Sequence, residues 1–369
     1  MSDLPNLPPG AADSIASPAL LVWPDRVSYN VDRMIDQVGG DVERLRPHVK
    51  THKMAEVVIL QLQAGISKFK CATIAEAEML AVAGALDILL AYQPVGPNIS
   101  RLLTLVDRFP QTSFAALVDD AGALENLSRQ IPEGSPALRL YVDVDCGMGR
   151  TGIAPNSAAE LCHSVATTPG VRFAGLHVYD GHLHDPEIEA RRSGFERAID
   201  PILRLAEDVQ PDAIVGGGSP TFGLHAGGAT WECSPGTTLF WDAGYGDKFP
   251  DLSYEVAAAL LTRVISKPGE NRLCLDLGHK AVAAENPLAN RVRFPALPGD
   301  LQFISQSEEH LVVESKAAGE WEIGDALIGI PVHICPSVAL HMEAVLIGDD
   351  GSPTGECWKT VARDRRISV

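Results

Sequence analysis

Residues 68–92 read KFKCATIAEAEMLAVAGALDILLAY. A short apolar run at 68–72 leads into 74–83, where apolar residues recur at helical spacing, and then into a second apolar run at 87–92. Strand, helix and strand in that order make a βα unit. The alternation continues on both sides. Further strands are expected at 45–50, 113–118, 138–145, 171–179, 212–216 and 230–234, with helices such as 99–109 and 186–209 between most of them. Eight parallel strands predict an α/β fold of the (β/α)8 TIM-like barrel type. An open doubly wound sheet is the alternative, because periodicity does not reveal closure.

After about Gly246 the texture changes to strands at 254–267, 272–278, 301–305, 310–316, 326–334 and 342–348, joined by Gly, Pro, Asp and Asn turns. The expected organisation is a barrel domain at 25–246 and a mostly antiparallel β domain at 247–369, joined by an N-terminal strand within 17–24. The chain has 369 residues, a length that predicts about two domains. Its net charge of −18 repels phosphate backbones and anionic lipid, so neither nucleic acid nor a membrane surface is an expected partner. The seven cysteines are scattered, without a C-x-x-C pair, as in a reducing compartment. With no basic N-terminal leader and no long apolar span, a cytoplasmic location is expected.

Candidate chemistry sits at predicted strand ends, where barrels place their active sites. Arg46-Pro47-His48-Val49-Lys50-Thr51-His52-Lys53 ends the first strand, and a lysine in an apolar barrel mouth can form a Schiff base with an aldehyde. A solvated basic loop is the plain alternative. Gly216-Gly217-Gly218-Ser219-Pro220-Thr221 follows another strand, and its backbone N–H groups can approach a small phosphate. Ser234-Pro235-Gly236-Thr237 offers a second loop, with Ser234, Gly236 and Thr237 as donors. The run Asp145-Cys146-Gly147-Met148-Gly149-Arg150-Thr151-Gly152 can hold Arg150 against a planar anion. In Gly175-Leu176-His177-Val178-Tyr179-Asp180-Gly181-His182, strand alternation lets Tyr179 face the mouth if His177 points inward below it. In the second domain, His333-Ile334-Cys335 would set an imidazole and a thiol on one face of a strand, where both can reach one metal ion and leave positions open for substrate.

Taken together, RPHVKTHK at 46–53, DCGMGRTG at 145–152, GLHVYDGH at 175–182, GGGSPT at 216–221, SPGT at 234–237 and HICP at 333–336 resemble the metal-dependent fold-type III pyridoxal phosphate enzymes of the D-threonine aldolase and D-serine dehydratase group. The resemblance implies an alanine-racemase-like barrel followed by a β domain. It also implies pyridoxal 5′-phosphate bound through Lys50, Arg150 near its phenolate oxygen, and Gly217, Gly218, Ser219, Ser234, Gly236 and Thr237 at its phosphate. A divalent metal, Mn2+ or Zn2+, would be held by His333 and Cys335. The expected partners are a small D-amino acid and a second copy of the chain.

Within that group two residues point different ways: Cys335 resembles the D-serine and D-3-hydroxyaspartate dehydratases, whereas Tyr179 resembles the aldolases. The expected reaction is retro-aldol cleavage of D-threonine-type substrates to glycine and an aldehyde. Its alternative is β-elimination by a D-serine or D-threo-3-hydroxyaspartate dehydratase. Lys50, Tyr179 and His182 are the catalytic candidates, and His52, Asp180 and His184 are further bases to weigh against His182. A racemase or a non-catalytic pyridoxal phosphate carrier completes the alternatives. The absence of any tyrosine after Tyr254 speaks against a two-base racemase, and the β domain speaks against a bare carrier.

Overall fold

In the computed structural model, residues 6–228, 231–297 and 301–369 are described. They divide into two compact units. One, the barrel unit, comprises Asp32–Lys50, Val58–Gly236 and Asp364–Val369; the other, the sheet unit, comprises the chain up to Val31, Thr51–Val57 and Thr237–Arg363.

The barrel unit is built on seven parallel strands, Lys68–Cys71, Asp87–Leu90, Ser113–Val118, Leu138–Val144, Val171–Val178, Ala213–Gly216 and Glu232–Cys233, hydrogen-bonded in that sequential order. Burial along them is nearly continuous, as expected of a parallel sheet covered by helices. Leu89, Ala115, Leu117, Tyr141, Ala174 and Val215 form an interior cluster. The helices between the strands begin where their sequences provide caps. Thr73 Oγ1 accepts from Glu76 N at 3.1 Å, Asp120 Oδ1 accepts from Ala123 N at 2.8 Å, and Pro97 and Pro155 open two others.

The strand expected at 45–50 is not a regular strand. Leu45 bridges Cys233 and His48 bridges Lys70, both in parallel sense, so single bridges occupy the place of an eighth strand between the first and last. Two causes are visible. Pro47 has no N–H to give a ladder, and Arg46 turns fully inward, with Nε 2.6 Å from Glu232 Oε2 and Nη1 2.7 Å from Asp87 Oδ1. Arg139 shares Asp87 and Lys68 shares Glu232, so each of the two carboxylates is bridged by two cations. Burial opposes the Asp87 carboxylate, but Arg46 and Arg139 hold it below its ordinary range. Of the strand expected at 230–234 only Glu232–Cys233 is regular, and Thr230 lies outside the described residues.

The sheet unit carries the mostly antiparallel sheet. The strand Ala19–Val22 lies between Ala258–Gly269, antiparallel, and Glu343–Ile347, parallel. Leu21 and Trp23 pack with Ala259, Leu261 and Ile347. Leu20, Leu21 and Val22 are essentially without solvent contact, and full burial of such side chains stabilises by roughly 1.5–3 kcal/mol each. The strand expected at 326–334 stops at Pro331, and His333 becomes the N-cap of a short helix, Ile334–Val338. His333 and Cys335 therefore do not share a strand face. The physical reason is local: Asp242 Oδ2 accepts from Ile334 N at 3.1 Å and Ser337 Oγ donates to His333 O at 3.1 Å, which favours a helical turn over extension.

Candidate active site

Three cations gather around one aromatic ring in the barrel unit. Tyr179 follows the strand Val171–Val178, and the centroid of its ring lies 4.6 Å from Arg150 Cζ, 5.7 Å from Lys50 Nζ and 5.9 Å from Lys70 Nζ. Lys50 is half-buried in the turn that follows the bridging segment, with its N–H donating to His48 Nδ1 at 3.3 Å. Arg150 sits in the glycine-flanked loop after Leu138–Val144, where Asp145 Oδ1 accepts from Gly147 N and Gly149 N at 2.9 and 3.1 Å. Among the described residues no carboxylate forms an ion pair with Lys50 or Arg150, so both retain positive charge to offer at the aromatic face. Such a site suits an anionic, planar ligand.

The glycine run is shaped by what lies behind it. Gly217 has φ +79°, and a Cβ there would stand 2.4 Å from the His225 ring; one on Gly216 would stand 2.6 Å from Trp231. Gly217 N donates to Val178 O at 3.1 Å, and Gly236 N donates to Ser219 Oγ at 3.2 Å, so the two expected phosphate loops are joined. Ser234 Oγ donates to Arg46 O at 2.9 Å, which commits its proton to the backbone. A Cβ on Gly218 would stand 3.2 Å from the Tyr179 ring, so this loop adjoins the same aromatic residue. These features fit a phosphate-bearing planar cofactor: a lysine, an arginine and a loop without side chains at 216–218 border one ring.

The candidate bases separate. His52 is fully buried against Phe240, its Nδ1 bonded to the Met54 backbone. Burial pushes it down to about 3, with the Met54 carbonyl opposing and Lys53 adding to the fall. Asp180 is buried between His225 Nε2 at 2.8 Å and Thr221 Oγ1 at 2.9 Å, where it braces the glycine loop. His184 is exposed. His182 is half-buried beside Gly147, and its Nδ1 is buried with no hydrogen-bond partner among the described residues. Among the described residues His182 Nδ1 and His52 Nε2 are both buried without a hydrogen-bond partner, but His52 is wholly enclosed whereas His182 is half-buried.

In the sheet unit, His333 Nδ1 lies 2.8 Å from Glu285 Oε1, and Cys335 Sγ lies 3.2 Å from Thr51 Oγ1 and 3.6 Å from Thr237 Oγ1. Burial disfavours the His333 imidazolium, but hydrogen bonding and charge from Cys335, together with Asp242 and Glu285, push it up to about 9. Thr237, expected at the phosphate, stands beside Cys335. An imidazole and a thiol in mutual contact are a suitable donor pair for a borderline or soft divalent ion. Among the described residues no group of three or more His, Cys, Asp and Glu side chains forms an ion cage.

Near these groups lie Lys70, Asp143 and His225, which no motif singles out, and His177, which strand alternation turns inward below Tyr179 and with which Asp143 pairs. A lysine in the otherwise buried strand KFKC was the visible signal for Lys70. His225 lies in a short helix without a motif, and nothing local marks it.

No helix among the described residues is long and apolar enough to cross a membrane. Residues 22–243 match the family model of the alanine racemase N-terminal domain, and residues 257–347 match that of a putative serine dehydratase domain. The chain is 29% identical over 360 residues to 3-hydroxy-D-aspartate aldolase of Paracoccus denitrificans strain Pd 1222, covering 92% of this chain and 90% of that protein. It is 30% identical over 333 residues to D-threonine aldolase of an Arthrobacter species, covering 86% and 85%. The solved structure of D-threonine aldolase from Filomicrobium marinum superposes with a TM-score of 0.88 at 25% identity, covering 98% of this chain and 99% of that one. With the barrel, the glycine loops and the lysine-bearing segment in the same chain, this protein belongs to the alanine racemase N-terminal domain family, the fold-type III pyridoxal phosphate enzymes.

Proposed function

We propose that the chain is a pyridoxal phosphate- and divalent-metal-dependent lyase that cleaves D-3-hydroxy amino acids of the D-threonine type to glycine and an aldehyde. The observation that carries this reading is the convergence of Lys50 and Arg150 on Tyr179 beside the glycine loop, in a chain similar along most of its length to two D-3-hydroxy amino acid aldolases. When bound, pyridoxal phosphate supplies an aldehyde for a lysine amine and an electron sink for charge at the substrate's Cα. A divalent ion at His333 and Cys335 would supply Lewis acidity toward a substrate hydroxyl.

The chain's own groups then have defined tasks. Lys50 Nζ would hold the cofactor through its aldehyde. Arg150 would stabilise anionic charge on the ring side, while the glycine loop at Gly217, Gly218 and Ser219 and the loop at Ser234, Gly236 and Thr237 would border the phosphate. Tyr179 would shape the pocket beside the cofactor. His182 accepts the β-hydroxyl proton: the oxygen's electron pair forms the aldehyde carbonyl, the Cα–Cβ pair passes to Cα, and a proton delivered there completes glycine.

Dehydration is the second reading, favoured by Cys335 and by the serine dehydratase domain match at 257–347. In that case Lys50 removes the α-proton and the hydroxyl leaves. Incubating the protein with pyridoxal phosphate, Mn2+ or Zn2+ and D-threonine separates the two. Glycine with acetaldehyde is expected; ammonia and a 2-oxoacid without glycine would move the protein to the dehydratases. A homodimer belongs to the same proposal and is checked by sedimentation.

A further inference from the structure

The barrel interior contains a buried amine to which the proposed reaction gives no task. Lys70 lies in register with Leu89, a member of the interior apolar cluster, and is only 2% exposed. Its Nζ is 3.5 Å from His177 Nε2. On the far side of that ring, His177 Nδ1 is 2.6 Å from Asp143 Oδ1, and Asp143 Oδ2 accepts from Thr151 Oγ1 at 2.9 Å. The carboxylate fixes the tautomer: Nδ1 carries the proton, and Nε2 presents its lone pair to Lys70.

Leaving a lysine in such a place is costly unless its charge is compensated or given up. The charged groups acting on it are Lys50, Asp143, Asp180 and Arg46. Burial, followed by the positive charge of Lys50, pushes Lys70 down to about 7, against the attraction of Asp143 and Asp180. Burial also lowers His177, keeping it neutral beside the Asp143 carboxylate. Lys70 Nζ and Lys50 Nζ stand at nearly equal distances, 5.9 and 5.7 Å, from the centroid of the Tyr179 ring.

We propose that Lys70 is a positioning residue for Lys50: oriented by the Asp143–His177 pair and sharing the Tyr179 surroundings, it governs how readily the Lys50 nitrogen carries a proton once bonded to the cofactor. This inference rests on the assignment of Lys50 as the cofactor's lysine. The physical basis is that Lys70, while it carries its proton, repels positive charge on the Lys50 nitrogen in a poorly solvated interior, so the two titrations are coupled, commonly by about one unit or more. An alkyl side chain would fill the same space without the desolvation cost, so packing alone does not account for an amine here.

The test is a pH titration of the visible absorbance of bound pyridoxal phosphate in the wild-type protein and in Lys70→Met, Lys70→Gln and Lys70→Arg. The neutral replacements are expected to raise the midpoint by about one pH unit. Arginine, a permanent cation, is expected to lower it. Unchanged midpoints, or a shift of the same sign in all three variants, would overturn the proposal, the latter because it would report packing instead of charge. Thermal melting checks each variant's fold. If Met and Gln do not fold, the sign of the Arg shift decides alone. Should the wild-type protein lack a visible band that Lys50→Ala removes, the assignment of Lys50 fails, an outcome distinct from an unaltered titration in the Lys70 variants.

Discussion

The barrel unit and the sheet unit assemble their reactive groups in different ways. In the barrel unit Lys50, Arg150, Tyr179 and the glycine run come from four separate βα connections, far apart in the chain, yet they adjoin one another because parallel strands all end on the same side. In the sheet unit the donor pair is local. His333 and Cys335 are two residues apart, placed by the turn that Pro331, Asp242 and Ser337 impose at the end of a strand. Apart from the parallel pair Ala19–Val22 and Glu343–Ile347, the neighbouring strands described alternate in direction, and Gln302–Gln306 and Pro353–Lys359 are largely exposed, so that sheet has no common end at which distant residues collect. A dispersed site depends on the whole sheet holding its register; a local pair depends on one turn.

The largest expected effect is on the dispersed site. Lys50→Ala should reduce turnover on the order of 10³-fold or more and remove the borohydride-reducible label that pyridoxal phosphate leaves on the protein. Peptide mapping of that label is the check, and finding it on Lys53 or Lys70 would break the barrel side of the comparison. For the local pair, His333→Ala combined with Cys335→Ala, or treatment with a chelator, should lower turnover on the order of 10²-fold while leaving the melting transition in place, because two ligands on one turn contribute little to the fold. Full activity in chelator would remove the metal from the mechanism.

Effects on stability should follow the same contrast. Gly217→Ala places a methyl group 2.4 Å from the His225 ring at φ +79°, so the apoprotein should lose about 1–3 kcal/mol in denaturant melts and bind pyridoxal phosphate more weakly. An unchanged melt would mean that the loop is not packed as tightly as the His225–Asp180 brace requires.

A smaller, pH-dependent effect belongs to the sheet unit. His52 has its folded pKa depressed to about 3, from 6.5. Its contribution is therefore fully present above pH 6.5 and is lost as the pH falls toward 3, where the unfolded chain takes up a proton that the folded chain refuses. The slope for one such group is at most about 1.4 kcal/mol per pH unit. Urea melts between pH 7.5 and 4.5 should show stability falling with acidity, and less steeply in His52→Gln. A slope unaltered by that substitution would assign the acid sensitivity elsewhere, with His177 of the barrel unit the next group to test.

Much of the architecture was legible because its signals are local. Alternating strand and helix patterns mark the parallel sheet, Thr73 and Asp120 announce their helices, and RPHVK, DCGMGRTG and GGGSPT each stand next to a strand. Less legible was the 45–50 segment, whose apolar residues suit a strand while Arg46 and Pro47 prevent a regular ladder. The helical turn at His333 escaped as well, because its cap hydrogen bond comes from Asp242, 92 positions away.

The amino-acid sequence by itself determined the order of strands and helices, the family resemblance and the residue types suited to a lysine-bound aldehyde, a phosphate and a metal, since each is written in contiguous residues. Only tertiary structure decided that His52 is wholly enclosed while His182 is half-buried, that Asp180 braces a loop, and that Lys70 faces an Asp143–His177 pair beside Tyr179. Those outcomes depend on burial and on charges brought together by strand register. The cost of burying a charge is set by the neighbours the fold supplies, and residues 70, 143 and 177 become neighbours only when the parallel strands align.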